Sequence, residues 1–202
     1  MDDSKTTAVN ALALRLIAEQ YAIPSDQLGR FLNCDGAQTA ELVTQLAQLG
    51  YTQKGALLAG QAEWVWLTKR GAERSGTGFG GMRPEAGSLQ RIRALNEVRL
   101  QVRSRAPGAR WVSGRSIVRD QGKGGFRPDA VIEIEKERHA LAIRVGHVRA
   151  VEAEEEFLET LMARYDALIV FVSAKRHSVQ QRLAEEHGWP KLVIRPIPQP
   201  PS

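Results

Sequence analysis

The densest concentration of one chemical type in this 202-residue chain is arginine between positions 83 and 127. Eleven basic side chains there (Arg83, Arg91, Arg93, Arg99, Arg103, Arg105, Arg110, Arg115, Arg119, Lys123 and Arg127) stand against Glu85, Glu97 and Asp120, a local excess of +8. A guanidinium offers phosphate oxygens two parallel hydrogen bonds, and single-sign density of this kind is costly without a polyanionic partner. Residues 1–80 sum to −1, within a whole-chain charge of +5. Other reactive types lack the spacing their chemistry needs. His139, His147, His177 and His187 keep no metal-ligand spacing with one another or with Cys34. Cys34 is the only cysteine, so no internal disulfide forms; it reads as a turn residue, and a reducing, cytoplasmic compartment is expected. Gly122-Lys123-Gly124-Gly125 lacks the following helix of a nucleotide-binding loop and reads as a flexible, basic hairpin tip. Glu152, Glu154, Glu155 and Glu156 open a helix, where carboxylates suit the positive end of the dipole.

The elements that must position these residues follow from periodicity. Val9, Leu12, Ala13, Leu16 and Ile17 recur at helical spacing, and Pro24 ends that helix. Ser25 is placed to cap a short helix over 26–31, and Asn33-Cys34-Asp35-Gly36 is a turn. Leu42, Val43, Leu46 and Leu49 define a third helix over 37–49, stopped by Gly50. Two apolar runs, 51–58 and 64–67, flank Gly60-Gln61 and predict a hairpin; Thr68 caps a last short helix. Five glycines and Pro84 fall in 75–87, which reads as a linker. Beyond it the pattern predicts a helix over 88–105 and strands at 111–113 (extensible to Val118), 130–134 and 140–145. A helix over 152–165, a buried strand over 167–172, a helix over 178–188 and a strand over 192–197 complete it. Strands separated by helical crossovers argue for a mixed α/β sheet in the order αβββαβαβ.

The domains expected are therefore 1–75, a helix-turn-helix with a hairpin; 76–87, the linker; 88–198, an α/β domain; and 199–202, a proline-rich tail. The class is α+β overall, with α/β character in the second domain. No stretch approaches the roughly 20 apolar residues that span a bilayer, and the polar, acidic N-terminus is not that of a secretory signal. No membrane partner is expected.

The layout resembles the replication-relaxation family of plasmid and mobile-element proteins: an N-terminal winged helix followed by a restriction-endonuclease-like core. The likeness rests on Leu67-Thr68-x-x-Gly71, on Asn96-Glu97-Val98-Arg99, and on Arg127-Pro128-Asp129-Ala130 opening a strand. It implies a site in which Asp129 would hold a divalent cation with an acidic residue on the next strand and a lysine two positions on. That strand reads Ala142-Ile143-Arg144-Val145-Gly146-His147, with arginine where the carboxylate belongs. A fixed cation there repels a dication, so cutting by the usual route is not expected. If the chain is an enzyme, Asp129, Glu97 and Glu133 would carry the metal, with Glu135 a further substitute and His147 a base. The preferred expectation is an Asp129–Arg144 ion pair in place of metal, with no cofactor.

Double-stranded DNA is the expected partner, together with a second copy of the chain as a homodimer. On the third helix Gln38, Thr39, Thr44, Gln45 and Gln48 can meet base edges. Lys54, Lys69, Arg70, Arg91, Arg93, Arg99, Arg103, Arg115, Arg119 and Lys123 would supply phosphate contacts. A regulatory or replication-accessory role follows. Two alternatives stay open: an atypical metal-dependent nuclease, and a protein-interaction adaptor using Trp64 and Trp66.

Overall fold

The structure, a computed structural model, describes residues 3–122, 124–146 and 150–199, with side chains from Thr7 onward. Lys123, His147 and the end of the proline-rich tail lie outside the described residues, so what was expected of them has no structural counterpart. The described chain is mixed α and β, with eight α-helices and two sheets. It divides into two compact units, residues 1–96 and 97–202.

In the first unit α1 (Asp3–Gln20) leads into β1 (Ala22–Pro24), α2 (Ser25–Leu32), α3 (Gly36–Gln48), β2 (Thr52–Gly55), β3 (Trp64–Leu67) and α4 (Lys69–Arg74). The sheet order is β1-β3-β2, all antiparallel, with Ile23 opposite Val65 and Lys54 opposite Val65 from the other side. β1 is absent from the sequence reading because three residues are too few to show alternation. Pro24 occupies the N-cap of α2, one residue before the expected Ser25, and no side chain caps it. Asp35 forms a reciprocal capping box with Gln38, fixing the start of α3. β2 stops at Gly55; the strand expected to reach Leu58 does not, because Leu57 and Leu58 turn onto a cluster of Trp64, Trp66, Leu89 and Ile92.

Leu67-Thr68-x-x-Gly71 has a clear mechanical basis. The Thr68 hydroxyl accepts from Gly71 N at 3.0 Å and donates to Gly50 O at 2.7 Å, tying α4 to the turn after α3. A β-carbon on Gly71 would lie 1.8 Å from Tyr51 O, so only glycine fits. The glycine-rich stretch 76–87 is not the bare linker the composition suggests. Phe79 is buried, as is Pro84, and Gly81 lies so close to the Leu67 and Thr68 carbonyls that a β-carbon would overlap them.

α5 (Leu89–Arg105) follows, and the division between units falls within it. The second unit then runs β4 (Arg110–Ser113), α6 (Gly114–Gln121), β5 (Ala130–Ile134), β6 (Glu137–Arg144), α7 (Val151–Met162), β7 (Ala167–Val172), α8 (Ala174–His187) and β8 (Leu192–Pro196). The order is αβαββαβαβ, one helix more than expected: Ser113 caps α6 through Ser116 N where β4 was thought to extend to Val118. Gly122 therefore ends a helix and is no hairpin tip. The sheet order is β4-β5-β6-β7-β8, with β4-β5-β6 antiparallel and β6-β7-β8 parallel. β6 is buried on both faces over residues 140–143. Its Ala140 and Ala142 pack with Leu158 and Leu161 of α7, Leu168 and Val170 of β7, and Leu183 of α8. Among the described residues no helix is long and apolar enough to cross a membrane.

Candidate nucleic-acid interface and a buried charge cluster

Of the constellations expected to do chemistry, the α3 set lies in the first unit and the Asp129 set in the second, while the arginine-rich segment 83–127 is divided between them. In the first unit, α3 packs through Leu42, Val43 and Leu46 and leaves the opposite side in solvent. Thr44, Gln45 and Gln48 stand on that exposed side. Gln38 is exposed as well, but its Oε1 accepts the Asp35 amide at 3.0 Å in the capping box, leaving only its NH₂ free to reach outward. Thr39 does not belong with them: it is 3% exposed and its hydroxyl donates to Asp35 O at 2.7 Å. It packs against Gly29, whose β-carbon would sit 2.5 Å from Thr39 Oγ1, so Thr39 holds α2 to α3 and reads nothing outside.

The basic residues near α3 are few. Lys54 on β2 is exposed and paired with Glu63 at 3.1 Å. Lys69 is exposed at the start of α4, and Arg70 beside it lies over the Tyr51 ring, 5.1 Å from its centre. Trp64 and Trp66 are 0% and 6% exposed, so the adaptor surface built on them does not exist. They are the core of the sheet.

The arginine-rich segment is partly neutralised from within. Arg93 makes a two-pronged pair with Asp26 at 2.6 and 3.2 Å, and its carbonyl accepts from Gln27. Arg119 pairs with Asp120 at 2.9 Å, and Arg110 with Glu133 at 2.6 Å. Arg99 lies over the Trp111 ring at 5.4 Å. Arg91 and Arg103 are exposed on α5, and Arg115 is half-buried on α6. The open phosphate-gripping field inferred from charge counts is therefore smaller than its +8 excess.

In the second unit the two groups expected to pair do meet, within a larger cluster. Asp129 precedes β5 and is 4% exposed. Its amide donates to Leu141 O at 2.8 Å, and its Oδ2 accepts from Ile143 N at 2.7 Å, so the carboxylate continues the β5–β6 ladder past the end of the strand. Arg144 Nη1 approaches that same Oδ2 to 4.0 Å. The closer partner of Arg144 is Glu154, at 2.7 Å from its Nε, while its guanidinium covers the Phe157 ring at 3.8 Å. Glu154 also takes Arg176 at 3.3 Å and the Gln180 amide at 2.7 Å. Burial holds Arg176 below the usual guanidinium range; Glu154 opposes that shift and Arg144 adds to it. Two guanidiniums and two carboxylates thus balance almost out of solvent, the arrangement in which a buried charge is tolerated.

The proposed metal ligands do not assemble there. Glu133 sits four residues along β5 from Asp129, about 13 Å at strand rise, and is held by Arg110 and Arg138. Glu135 is in the β5–β6 turn with a left-handed φ of 54°, at the opposite end of the strand. Glu97 is buried on α5. Among the described residues one set of three ligating side chains converges, and it lies elsewhere, on α7 and α8.

Glu154, Arg176 and Gln180 were not singled out from the sequence, although a signal exists. Glu154 stands three, four and seven residues before Phe157, Leu158 and Leu161, on the buried stripe of its helix. Arg176 and Gln180 hold the same relation to Leu183. A charged residue at a stripe position must find a partner inside. Reading Glu154 as a helix-dipole carboxylate missed this.

Comparison with protein-family models, curated proteins and solved structures gives no match for this chain.

Proposed function

We propose that the chain binds double-stranded DNA through its first unit, which we read as a winged helix-turn-helix. The observation that carries this reading is the combination of order and pairing: α1, β1, α2, α3, then the β2–β3 hairpin, with β1 added to β3. In that arrangement the second helix of the α2–turn–α3 pair presents its outer side to the major groove. The exposed residues of α3 suit that task, since glutamine can read adenine and a threonine methyl can meet thymine. Lys69 and Arg70, at the start of α4, are the phosphate contacts this reading favours.

We read the second unit as a restriction-endonuclease-like domain without cutting residues, in keeping with the resemblance to replication-relaxation proteins. What supports the loss of cutting is the Asp129 carboxylate, committed to the Ile143 amide and faced by Arg144. A regulatory or replication-accessory role on plasmid or mobile-element DNA follows from the same resemblance, and a homodimer is the assembly proposed with it.

The test is a gel shift with the full chain on mixed duplex sequences at stepped salt, alongside plasmid incubated with Mg²⁺ or Mn²⁺. Retention that weakens steeply with salt, and intact plasmid, are expected. No retention at low salt would remove the DNA reading. Metal-dependent nicking lost in Asp129→Ala would restore the nuclease.

A further inference from the structure

We propose that Glu155, Glu159 and His187 form a divalent transition-metal site of the zinc class, which clips α7 to the end of α8. No sequence motif announces it, since the ligands are separated by four and then twenty-eight positions. The fold alone makes them converge: one ligating atom from each lies within 4.8 Å of the others. His187 Nε2 is already 2.7 Å from a Glu155 oxygen.

Three features distinguish this group from a surface ion pair. Glu155 and Glu159 are one helical turn apart on the same side of α7, so both carboxylates face a single point. Only Glu155 is matched by the imidazole. Among the described residues the Glu159 carboxylate has no hydrogen-bond or ion-pair partner, so it is free to turn toward an ion. The imidazole is also held in place. It stacks on Trp189 with centroids 4.4 Å apart and planes 8° from parallel, and Trp189 itself packs against the core of the unit. Gly188, in the left-handed region at the C-cap of α8, makes the turn that brings the two rings together.

The donor set selects the ion. Zinc bonds imidazole nitrogen and carboxylate oxygen at about 2.0–2.2 Å, which places neighbouring ligand atoms about 3.4 Å apart in a tetrahedron. The Glu155–His187 contact must open slightly and Glu159 must swing inward, both within the reach of side-chain rotation. Magnesium and calcium prefer oxygen-only shells and suit an imidazole poorly. Three protein ligands leave the fourth position to water. Binding replaces the Glu155–His187 contact with a bond from each side chain to the ion.

Isothermal titration of the full chain with zinc chloride, then with magnesium chloride, tests the site. One zinc per chain and no magnesium uptake are expected near neutral pH. His187→Gln and Glu159→Gln should each weaken zinc at least about tenfold, and zinc should raise the melting temperature of the wild type but of neither variant. Both positions are at the surface, and circular dichroism confirms that the variants fold. Cobalt substitution should give the intense visible bands of a tetrahedral site. An absence of zinc binding, or binding that survives either substitution, overturns the proposal.

Discussion

In the first unit Thr44, Gln45 and Gln48 stand in solvent on α3 without being needed to hold that helix in place, which Leu42, Val43 and Leu46 do from the other side. In the second unit Asp129, Arg144, Glu154 and Arg176 are turned inward and pair with one another, although Arg176 Nε is left without a hydrogen-bond partner. The contrast separates two meanings of a polar residue. A group that can be removed without exposing a cavity or stranding a charge is available to a ligand. A group whose partners are its own chain is architecture, whatever chemistry its type would allow. Asp129 is the sharpest case, because a carboxylate that could have bound a metal instead completes a strand ladder.

The strongest way to break the contrast is at Arg144. Replacing it with methionine leaves buried Glu154 with Arg176 as its guanidinium and removes the one that faces Asp129, so urea denaturation should register a loss of about 3–5 kcal/mol. Glu154→Leu combined with Arg144→Met should cost less than the two single changes together, since Glu154 and Arg144 are each other's closest charged partners. A loss near zero for Arg144→Met would mean that the cluster is open to water and free to bind something else.

Gly71→Ala tests the first unit's own architecture. The added β-carbon meets the Tyr51 carbonyl, and a rigid backbone cannot yield as a side chain would. A destabilisation of about 1–3 kcal/mol or more is expected by thermal denaturation. Thr68→Ala should cost about 1 kcal/mol through the lost cap. If Gly71→Ala is tolerated, α4 does not sit against the turn after α3, and Lys69 and Arg70 lose the placement that the DNA reading gives them.

Much of this was legible in the sequence, for reasons that can be located. The helices α1, α3, α5 and α7 were legible because their apolar residues recur over three or more turns, the strands β3, β5 and β7 because they are short runs rich in β-branched or aromatic residues, and β6 because Ala140-Leu141-Ala142-Ile143 is a short continuous apolar run. α6 was not, since Trp111-Val112 and Ile117-Val118 look like one apolar strand until Ser113 is seen capping Ser116. The stretch 76–87 misled because glycine content reports backbone freedom and not close packing; Gly81 is there to pass two carbonyls. The Asp129–Arg144 approach could be foreseen from adjacent strands. Glu154 as the tighter partner could not be foreseen without the helix that carries it.

Thr39 and Thr44 give a smaller, cleaner comparison within a single helix. Thr39→Ala removes a buried hydroxyl that bonds the Asp35 carbonyl, for an expected loss of about 1 kcal/mol in stability and no change in DNA affinity per folded molecule. Thr44→Ala should leave stability within about 0.5 kcal/mol and weaken duplex binding several-fold. Equal effects of the two on affinity would show that α3 is not the reading element.

The most delicate test concerns the charges flanking α3. Lys69→Ala with Arg70→Ala removes two exposed cations, one of them stacked on Tyr51. At any one salt concentration the loss of affinity is expected to be modest. The slope is more informative: each phosphate contact contributes about 0.9 to the fall of log affinity with log salt, so the double variant should lower the slope by about 1.8. The matching change at Arg119, which is paired with Asp120, should alter it less, because an arginine already neutralised releases fewer counterions from DNA. If instead Arg119→Ala flattens the salt response and the Lys69/Arg70 variant does not, phosphate binding belongs to the second unit, and the division between an exposed reading surface and an internally balanced domain is drawn in the wrong place.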